Sequence, residues 1–205
     1  MDPSNTGYTH RVEKKLVGRA QRGDRAALRE IIDQHKDRLY AFVLRTVRNH
    51  HDAEEVCQDA FLKAFRALDS FNPKYRFSTW LFTIGYRLCL NHLRRKKDAY
   101  GDTDFSRYAS AERAADEHCA QSEDARHLKK VVWDAVEKLS TAQRAAVVLF
   151  YQHQQGCAEI AEVLELPVAT VKSHLHRARA KLRELLEPAV AEDSSRLRIF
   201  TELAG

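Results

Sequence analysis

The chain has 205 residues, 31% of them charged and 44% hydrophobic, with a formal net charge of +5 that is unevenly placed. No apolar run approaches the roughly 20 residues that span a bilayer, and Met1–Lys15 lacks the apolar core of a secretion signal, so direct membrane insertion is not expected and a cytoplasmic location is. The four cysteines, Cys57, Cys89, Cys119 and Cys157, are scattered and form no C-x-x-C pair, which argues against a zinc site or a dithiol redox centre. Seven glycines and no strand-like alternation predict an all-α chain.

Residues 1–11 are polar, contain Pro3 and Gly7, and are expected to be loosely ordered. From Val12, the spacing of Leu16, Val17 and Ala20 predicts a short helix to about Arg22, ended by Gly23. Asp24 is placed to cap the next helix, in which Leu28, Ile31, Ile32, Leu39, Phe42, Val43 and Val47 keep helical register to about Arg48 over roughly six turns. Asn49, His50 and His51 make a turn. Asp52 followed by Glu55 has capping-box spacing, and Val56, Cys57, Ala60, Phe61, Ala64, Phe65 and Leu68 lay an apolar stripe along a third helix. Its other face carries Glu54, Gln58, Asp59, Lys63 and Arg66, which by pattern alone read as an ordinary solvated surface.

A loop over 69–76 contains the turn signal Asn72-Pro73, and Ser78 is placed to cap a fourth helix from about Thr79 to Arg95. Most of its circumference is apolar, with Leu81, Ile84, Leu88 and His92 on one face and Phe82, Tyr86, Cys89 and Leu93 beside them. The remaining stripe is Trp80, Thr83, Arg87, Asn91 and Arg94. From Arg76 to Lys97 there is no acidic residue. Taken singly, Phe77 and Trp80 read most simply as core aromatics. Together with Phe71 and Tyr75 in the loop and the acid-free run of cations, they suit single-stranded nucleic acid, whose bases stack on rings at about 1–3 kcal/mol each while cations track phosphates. Residues 12–97 thus make a first domain of four helices.

Residues 98–126 shift to an acidic composition without a clear period and read as a flexible linker. His118, Cys119 and His127 in and beside it are at most a partial metal-ligand set, and no cofactor is expected. A second domain spans 127–186. Leu128, Val131, Val132, Ala135, Val136 and Leu139 mark one helix, Ser140 with Gln143 is a capping box, and Val147, Val148, Phe150 and Tyr151 carry the next helix. After Gly156 come Cys157, Ile160, Ala161 and Leu164 on a third. The turn Glu165-Leu166-Pro167 leads to a last helix, about 168–186, with Val168, Val171, Leu175, Ala178, Leu182 and Leu185 inward. Helix, short turn, helix is the arrangement whose second member lies in the major groove of DNA. That member's outer face bears Lys172, Ser173, His174, His176, Arg177 and Arg179, then Lys181 and Arg183, with no acid before Glu184. Such side chains reach guanine edges and phosphates. A tail over 187–205 carries a short apolar edge of Leu197, Phe200 and Leu203 that fits either the protein's own surface or a partner.

Three strings, Asp52–Phe71 (DAEEVCQDAFLKAFRALDSF), Phe77–Ile84 (FSTWLFTI) and Leu166–Leu182 (LPVATVKSHLHRARAKL), stand in an order and at a spacing that resembles the extracytoplasmic-function (ECF) sigma factors of the sigma-70 family, bacterial RNA polymerase initiation subunits. The resemblance covers about Leu16 to Leu186. It implies two small helical domains, sigma-2-like and sigma-4-like, joined by the acidic linker, and a binding subunit with no enzymatic activity. It further implies that Asp52, Glu55, Gln58, Asp59, Leu62 and Arg66 dock on the clamp helices of the core polymerase's largest subunit. Phe71, Tyr75, Phe77, Trp80, Thr83, Arg87, Asn91 and Arg94 would hold the melted −10 element, with a base flipped into a pocket near the loop. Lys172, Ser173, His174, His176, Arg177 and Arg179 would bind the −35 duplex while the second domain rests on the polymerase flap. The linker would thread toward the RNA exit path, and an anti-sigma factor would mask the polymerase-binding faces. Arg87 stands where many members carry Asn, Gly156 where a capping Ser or Thr is usual, and Glu165 where Gly is frequent. The competing expectation is a stand-alone helix-turn-helix regulator, which would leave the aromatic fourth helix without a role.

Overall fold

The computed structural model describes residues 3–73, 75–100 and 123–191, all of whose regular elements are helical. The chain divides into two compact units, residues 1–109 and 110–205.

In the first unit, helix α1 spans Pro3–Gln21, α2 Arg25–Val47, α3 His50–Arg66 and α4 Phe77–Tyr100, with a 3-10 turn at Leu68–Ser70. Helix α1 starts at Pro3, ahead of the expected Val12; proline is at home in a first turn, where its missing N–H has no partner to lose. Gly23, at φ +86°, reverses the chain, and Asp24 Oδ1 accepts the N–H groups of Ala26 and Ala27 at 2.9 and 3.1 Å. The Ala27 amide and the Arg19 guanidinium hold the Asp24 carboxyl below its ordinary value. Ile31, Leu39, Phe42 and Val43 on α2, Ala53 and Ala60 on α3 and Leu81 and Phe82 on α4 are fully buried, where α2 packs on α3 and on α4. Phe42 meets Phe82 and Tyr86 at ring-centroid distances of 5.2 and 6.3 Å. Gly85 permits the close approach of α4 to α2, because a Cβ there would lie 3.0 Å from Leu39 Cδ1.

Two expected caps are replaced. Helix α3 begins at His50, and its cap is Asn49, in extended backbone (φ −143°, ψ 132°), whose Oδ1 accepts the Asp52 N–H at 2.9 Å. The extended residue just before the first turn is the one whose side chain reaches the orphan amides. Asp52 lies already inside the helix, and its carboxylate turns to α4. Likewise Ser78 is the second residue of α4, and its N–H is accepted by Glu13 of α1. Leu68, expected on the α3 stripe, lies beyond that helix in the 3-10 turn and is still buried.

In the second unit, α5 spans Glu123–Glu137, α6 Thr141–Val147, α7 Cys157–Leu164 and α8 Val168–Ala191, with a π turn, Val148–Gln152, where the expected helix would have continued as α. Ser140 and Gln143 form the capping box reciprocally, at 3.2 and 3.4 Å. Gly156 has no side chain to give, and the Glu159 carboxylate accepts its N–H at 3.0 Å. Arg144 is buried because its Nη2 donates to Glu137 O and Leu139 O, the open carbonyl end of α5, at 3.0 and 2.9 Å; Lys181 Nζ closes Lys138 O at 2.8 Å. The core is Val136, Leu139, Val148, Leu149, Ile160, Val163, Val171, Leu175, Ala178, Leu182 and Leu186. Near the C-terminal part of α8 Leu186 is buried and Leu185, expected inward, only half-buried, and Val168, at the very start of α8, is 41% exposed rather than inward.

Residues 101–122 and 192–205, with His118, Cys119, Leu197, Phe200 and Leu203, lie outside the described residues, as does the side chain of His127. Among the described residues no helix is long and apolar enough to cross a membrane.

Candidate nucleic-acid and protein interfaces

Helices α7 and α8 meet at Glu165, whose left-handed backbone (φ 57°) lets Leu166 N–H reach back to Ala161 O at 3.0 Å. Non-glycine residues enter this region at a cost, and the returned hydrogen bond offsets it. The turn fixes which side of α8 faces out. Lys172, Ser173, His176 and Arg177 are exposed in successive turns. Ser173 Oγ donates to Ala169 O at 3.0 Å and Arg177 Nε to Ser173 O at 3.3 Å, so both side chains lie along the helix surface.

His174 and Arg179 are placed differently. His174 is half-buried, with Nδ1 shielded from solvent and without a hydrogen-bond partner. Arg179 donates to Tyr151 Oη at 2.9 Å, and its guanidinium lies 5.7 Å and 5.9 Å from the ring centroids of Phe150 and Tyr151. The π turn presents those two rings, so Arg179 is spent on internal cation–π packing. Four of the six residues assigned to duplex binding therefore form one exposed group, and two belong to the unit's own packing.

On α4, the exposed stripe runs through Arg87, Leu90, Asn91 and Arg94, continued toward the N-terminus by half-buried Thr83 and Trp80. Thr83 Oγ1 donates to Thr79 O at 2.9 Å. Tyr75, 56% exposed, stands in the loop before the helix. Phe71 and Phe77, assigned with them, are instead in the core, 5% and 1% exposed. They pack edge-to-face with each other at 5.5 Å and lie 5.1 and 5.6 Å from the Trp80 ring. Closing the loop over the unit requires an apolar plug, and these two rings supply it; they back Trp80 and offer no face for stacking.

On α3, Glu55, Gln58, Asp59, Leu62 and Arg66 share one exposed side, with Leu62 53% exposed among polar neighbours. Asp52 does not belong to that side. Its Oδ2 accepts from Lys96 Nζ at 2.8 Å and lies 3.1 Å from His92 Nε2, an ion-pair distance without hydrogen-bond alignment. Burial opposes ionisation of Asp52, but Lys96 and His92 more than offset it and hold the carboxyl below its ordinary value. The start of α3 is thereby tied to the basic end of α4.

Burial pushes the Cys57 thiol up to about 12 and that of Cys89 higher still, which makes both poor nucleophiles. Among the described residues no group of metal-ligating side chains converges. Sequence reasoning missed Glu13, Gln21 and Arg144, and gave Tyr151 a place on its helix but not its bond with Arg179. For Glu13 a signal existed: an acid at the helical spacing of Leu16, Val17 and Ala20, on the apolar side of α1.

The family model for Sigma-70 region 2 matches residues 31–99, and that for Sigma-70 region 4 matches residues 129–182. The ECF RNA polymerase sigma factor SigW of Bacillus subtilis is 34% identical over 186 residues, 84% of this chain and 96% of its own length. The ECF RNA polymerase sigma-E factor of Escherichia coli K12 is 30% identical over 187 residues, 87% of this chain and 96% of its own. Among solved structures, CnrH in complex with the cytosolic domain of CnrY is similar with a TM-score of 0.64 at 27% identity, over 86% of this chain and 97% of that one. The sigma factor RpoE of Bartonella quintana, solved with the anti-sigma factor NepR, is similar with a TM-score of 0.61 at 27% identity, over 78% and 96%. With a region 2 that carries the aromatic and basic α4, a region 4 that carries the helix-turn-helix, and ECF relatives matched over most of its length, the chain belongs to the ECF RNA polymerase sigma factors of the sigma-70 family.

Proposed function

We propose that this sigma factor directs core polymerase to promoters through three separate surfaces. The exposed group on α8, Lys172, Ser173, His176 and Arg177, reads the −35 duplex in the major groove, while His174 and Arg179 stiffen the helix that presents it. Tyr75, Trp80, Thr83, Arg87, Asn91 and Arg94 capture the melted −10 strand, Tyr75 and Trp80 by stacking and the arginines by phosphate contact, with Phe71 and Phe77 as the apolar backing. The α3 side of Glu55, Gln58, Asp59, Leu62 and Arg66 docks on the clamp helices of the largest subunit; the partly exposed Leu62, ringed by polar side chains, has the make-up of an interface anchor. The second unit rests on the flap, and the acidic linker runs toward the RNA exit path. The chain acts by binding alone, in the cytoplasm where its polymerase is. An anti-sigma factor holds it inactive; the solved complexes of CnrH with CnrY and of RpoE with NepR support that partner.

The observation that carries this reading is the pairing, in one chain, of a cationic helix-turn-helix with a stripe on α4 that joins half-buried Trp80 to exposed Arg87, Asn91 and Arg94. A free duplex-binding regulator needs only the first. The test is capture of core RNA polymerase by the purified full chain, followed by run-off transcription on a random promoter pool. Retention of core with enrichment of templates carrying paired −35 and −10 motifs supports the proposal. Tight duplex binding with no retention of core would make it a stand-alone regulator.

A further inference from the structure

Helix α1 holds the loop that carries Tyr75 at both of its ends. At the entrance, Gln21 Nε2 donates to Leu68 O at 2.9 Å, across 47 residues of sequence. At the exit, Glu13 Oε2 and Oε1 accept the N–H groups of Phe77 and Ser78 at 3.3 and 3.2 Å, across 64 and 65 residues. Glu13 and Gln21 stand about two turns apart on α1, roughly 12 Å along its axis.

This is an unusual way to begin a helix. The residue before α4 is Arg76, whose side chain offers donors only and so cannot cap the orphan amides of Phe77 and Ser78. A serine or aspartate at that position would cap α4 from within and leave α1 unneeded. Instead a carboxylate only 8% exposed is kept in the core, where an unpartnered charge would be strongly unfavourable. It is partnered by the two amides and by His35, whose Nε2 lies 3.4 Å from Oε1. The His35 ring in turn packs on Phe77 at 5.5 Å, and Phe77 supports Trp80 at 5.6 Å. The start of α4, and with it the aromatic plug under Trp80, is therefore set by contacts from α1 and α2.

We propose that α1 is a brace for the strand-capture loop, and that Glu13 and Gln21 are positioning residues that hold its two ends, at Leu68 and at Phe77, before DNA arrives. Ordering that loop in advance removes a cost that strand binding would otherwise meet. The proposal rests on the reading of α4 as the strand-binding helix. It adds a role for a helix that lies outside both matched regions, which begin at residue 31 and residue 129.

The experiment uses holoenzyme reconstituted from core polymerase and the full chain. The probe is a fluorescent single-stranded oligonucleotide carrying the −10 motif enriched by the wild-type holoenzyme. Glu13→Gln and Gln21→Ala are each expected to weaken oligonucleotide binding by about tenfold, with core affinity and −35 duplex affinity within about twofold of wild type. Gln21→Ala removes no buried charge and folds even if Glu13→Gln does not. Strand affinity unchanged in the folded variants would overturn the brace. So would a parallel fall in strand affinity, core affinity and helical circular dichroism, since that pattern assigns the two residues to stability alone. A wild-type holoenzyme that holds core but no oligonucleotide would instead overturn the strand-binding role of α4 itself.

Discussion

At the scale of single residues, the charged side chains divide by what they can reach rather than by where they stand in sequence. The resemblance puts Asp52 among the docking residues of α3, yet its carboxylate spans to Lys96 and His92 on α4. Because its folded pKa lies below the ordinary carboxylate value, its contribution to stability is present above the unfolded value of 3.8 and is lost as pH falls through the lower folded one. Asp52→Asn is accordingly expected to destabilise the first unit by about 2 kcal/mol at neutral pH, the usual weight of a charge-assisted hydrogen bond. Thermal melts as a function of pH check this, and the gap between wild type and variant should close under strongly acidic conditions. The same division governs α8. Lys172→Ala with Arg177→Ala should weaken −35 binding by about 1–3 kcal/mol for each lost base contact without lowering the melting temperature. Arg179→Ala should do the reverse, since its guanidinium is engaged by Tyr151 and Phe150; filter binding on duplex DNA beside calorimetry separates the two.

At the scale of elements, periodicity was enough for α2, α7 and the bodies of α4 and α8, because each buries a continuous apolar stripe, whereas the π turn after α6 and the two ends of the α8 stripe escaped it. Caps were less legible. Asn49 and Asp52 are both good capping residues, and the choice between them depends on which one is held in extended backbone, which no spacing rule reveals. The start of α4 was beyond local reasoning altogether, since its acceptor lies 64 residues upstream in α1. Nor did aromatic content distinguish the rings that face solvent from those that plug the loop: Phe71, Tyr75, Phe77 and Trp80 look alike in sequence, but only Tyr75 and part of Trp80 remain outside. Trp80→Ala should therefore reduce promoter melting, read by permanganate reactivity, and spare binding to a −35 duplex. Phe77→Ala should unfold the first unit instead, as a fully buried phenylalanine truncated to alanine costs about 3–5 kcal/mol. Permanganate reactivity at the wild-type level in Trp80→Ala would count against a stacking role.

At the scale of the whole molecule, the chain has two compact units, and the proposed function gives each its own kind of DNA recognition, neither sufficient alone. A helix-turn-helix with four exposed polar and cationic side chains is a small reader, and a stacking surface has little to bind until a duplex opens. On the proposed reading, joining the two on one polymerase would make the second binding event intramolecular, so that weak contacts at −35 and −10 would sum to a selective one. The all-α, two-domain plan was readable from residue pattern, and three short strings carried the resemblance. Which residues in each patch are outward was not, because burial is settled by contacts between helices far apart in sequence.

The most direct measurement is a combined footprint of the reconstituted holoenzyme on an enriched promoter, with protection at −35 and permanganate reactivity at −10 read from the same sample. The account predicts that Lys172→Ala with Arg177→Ala lowers both signals and is rescued at −10 by a pre-opened template. Trp80→Ala should lose the −10 signal while −35 protection persists. If the two sets of variants instead erase both signals alike, pre-opened template or not, the assignment of the two recognition steps to separate surfaces is wrong.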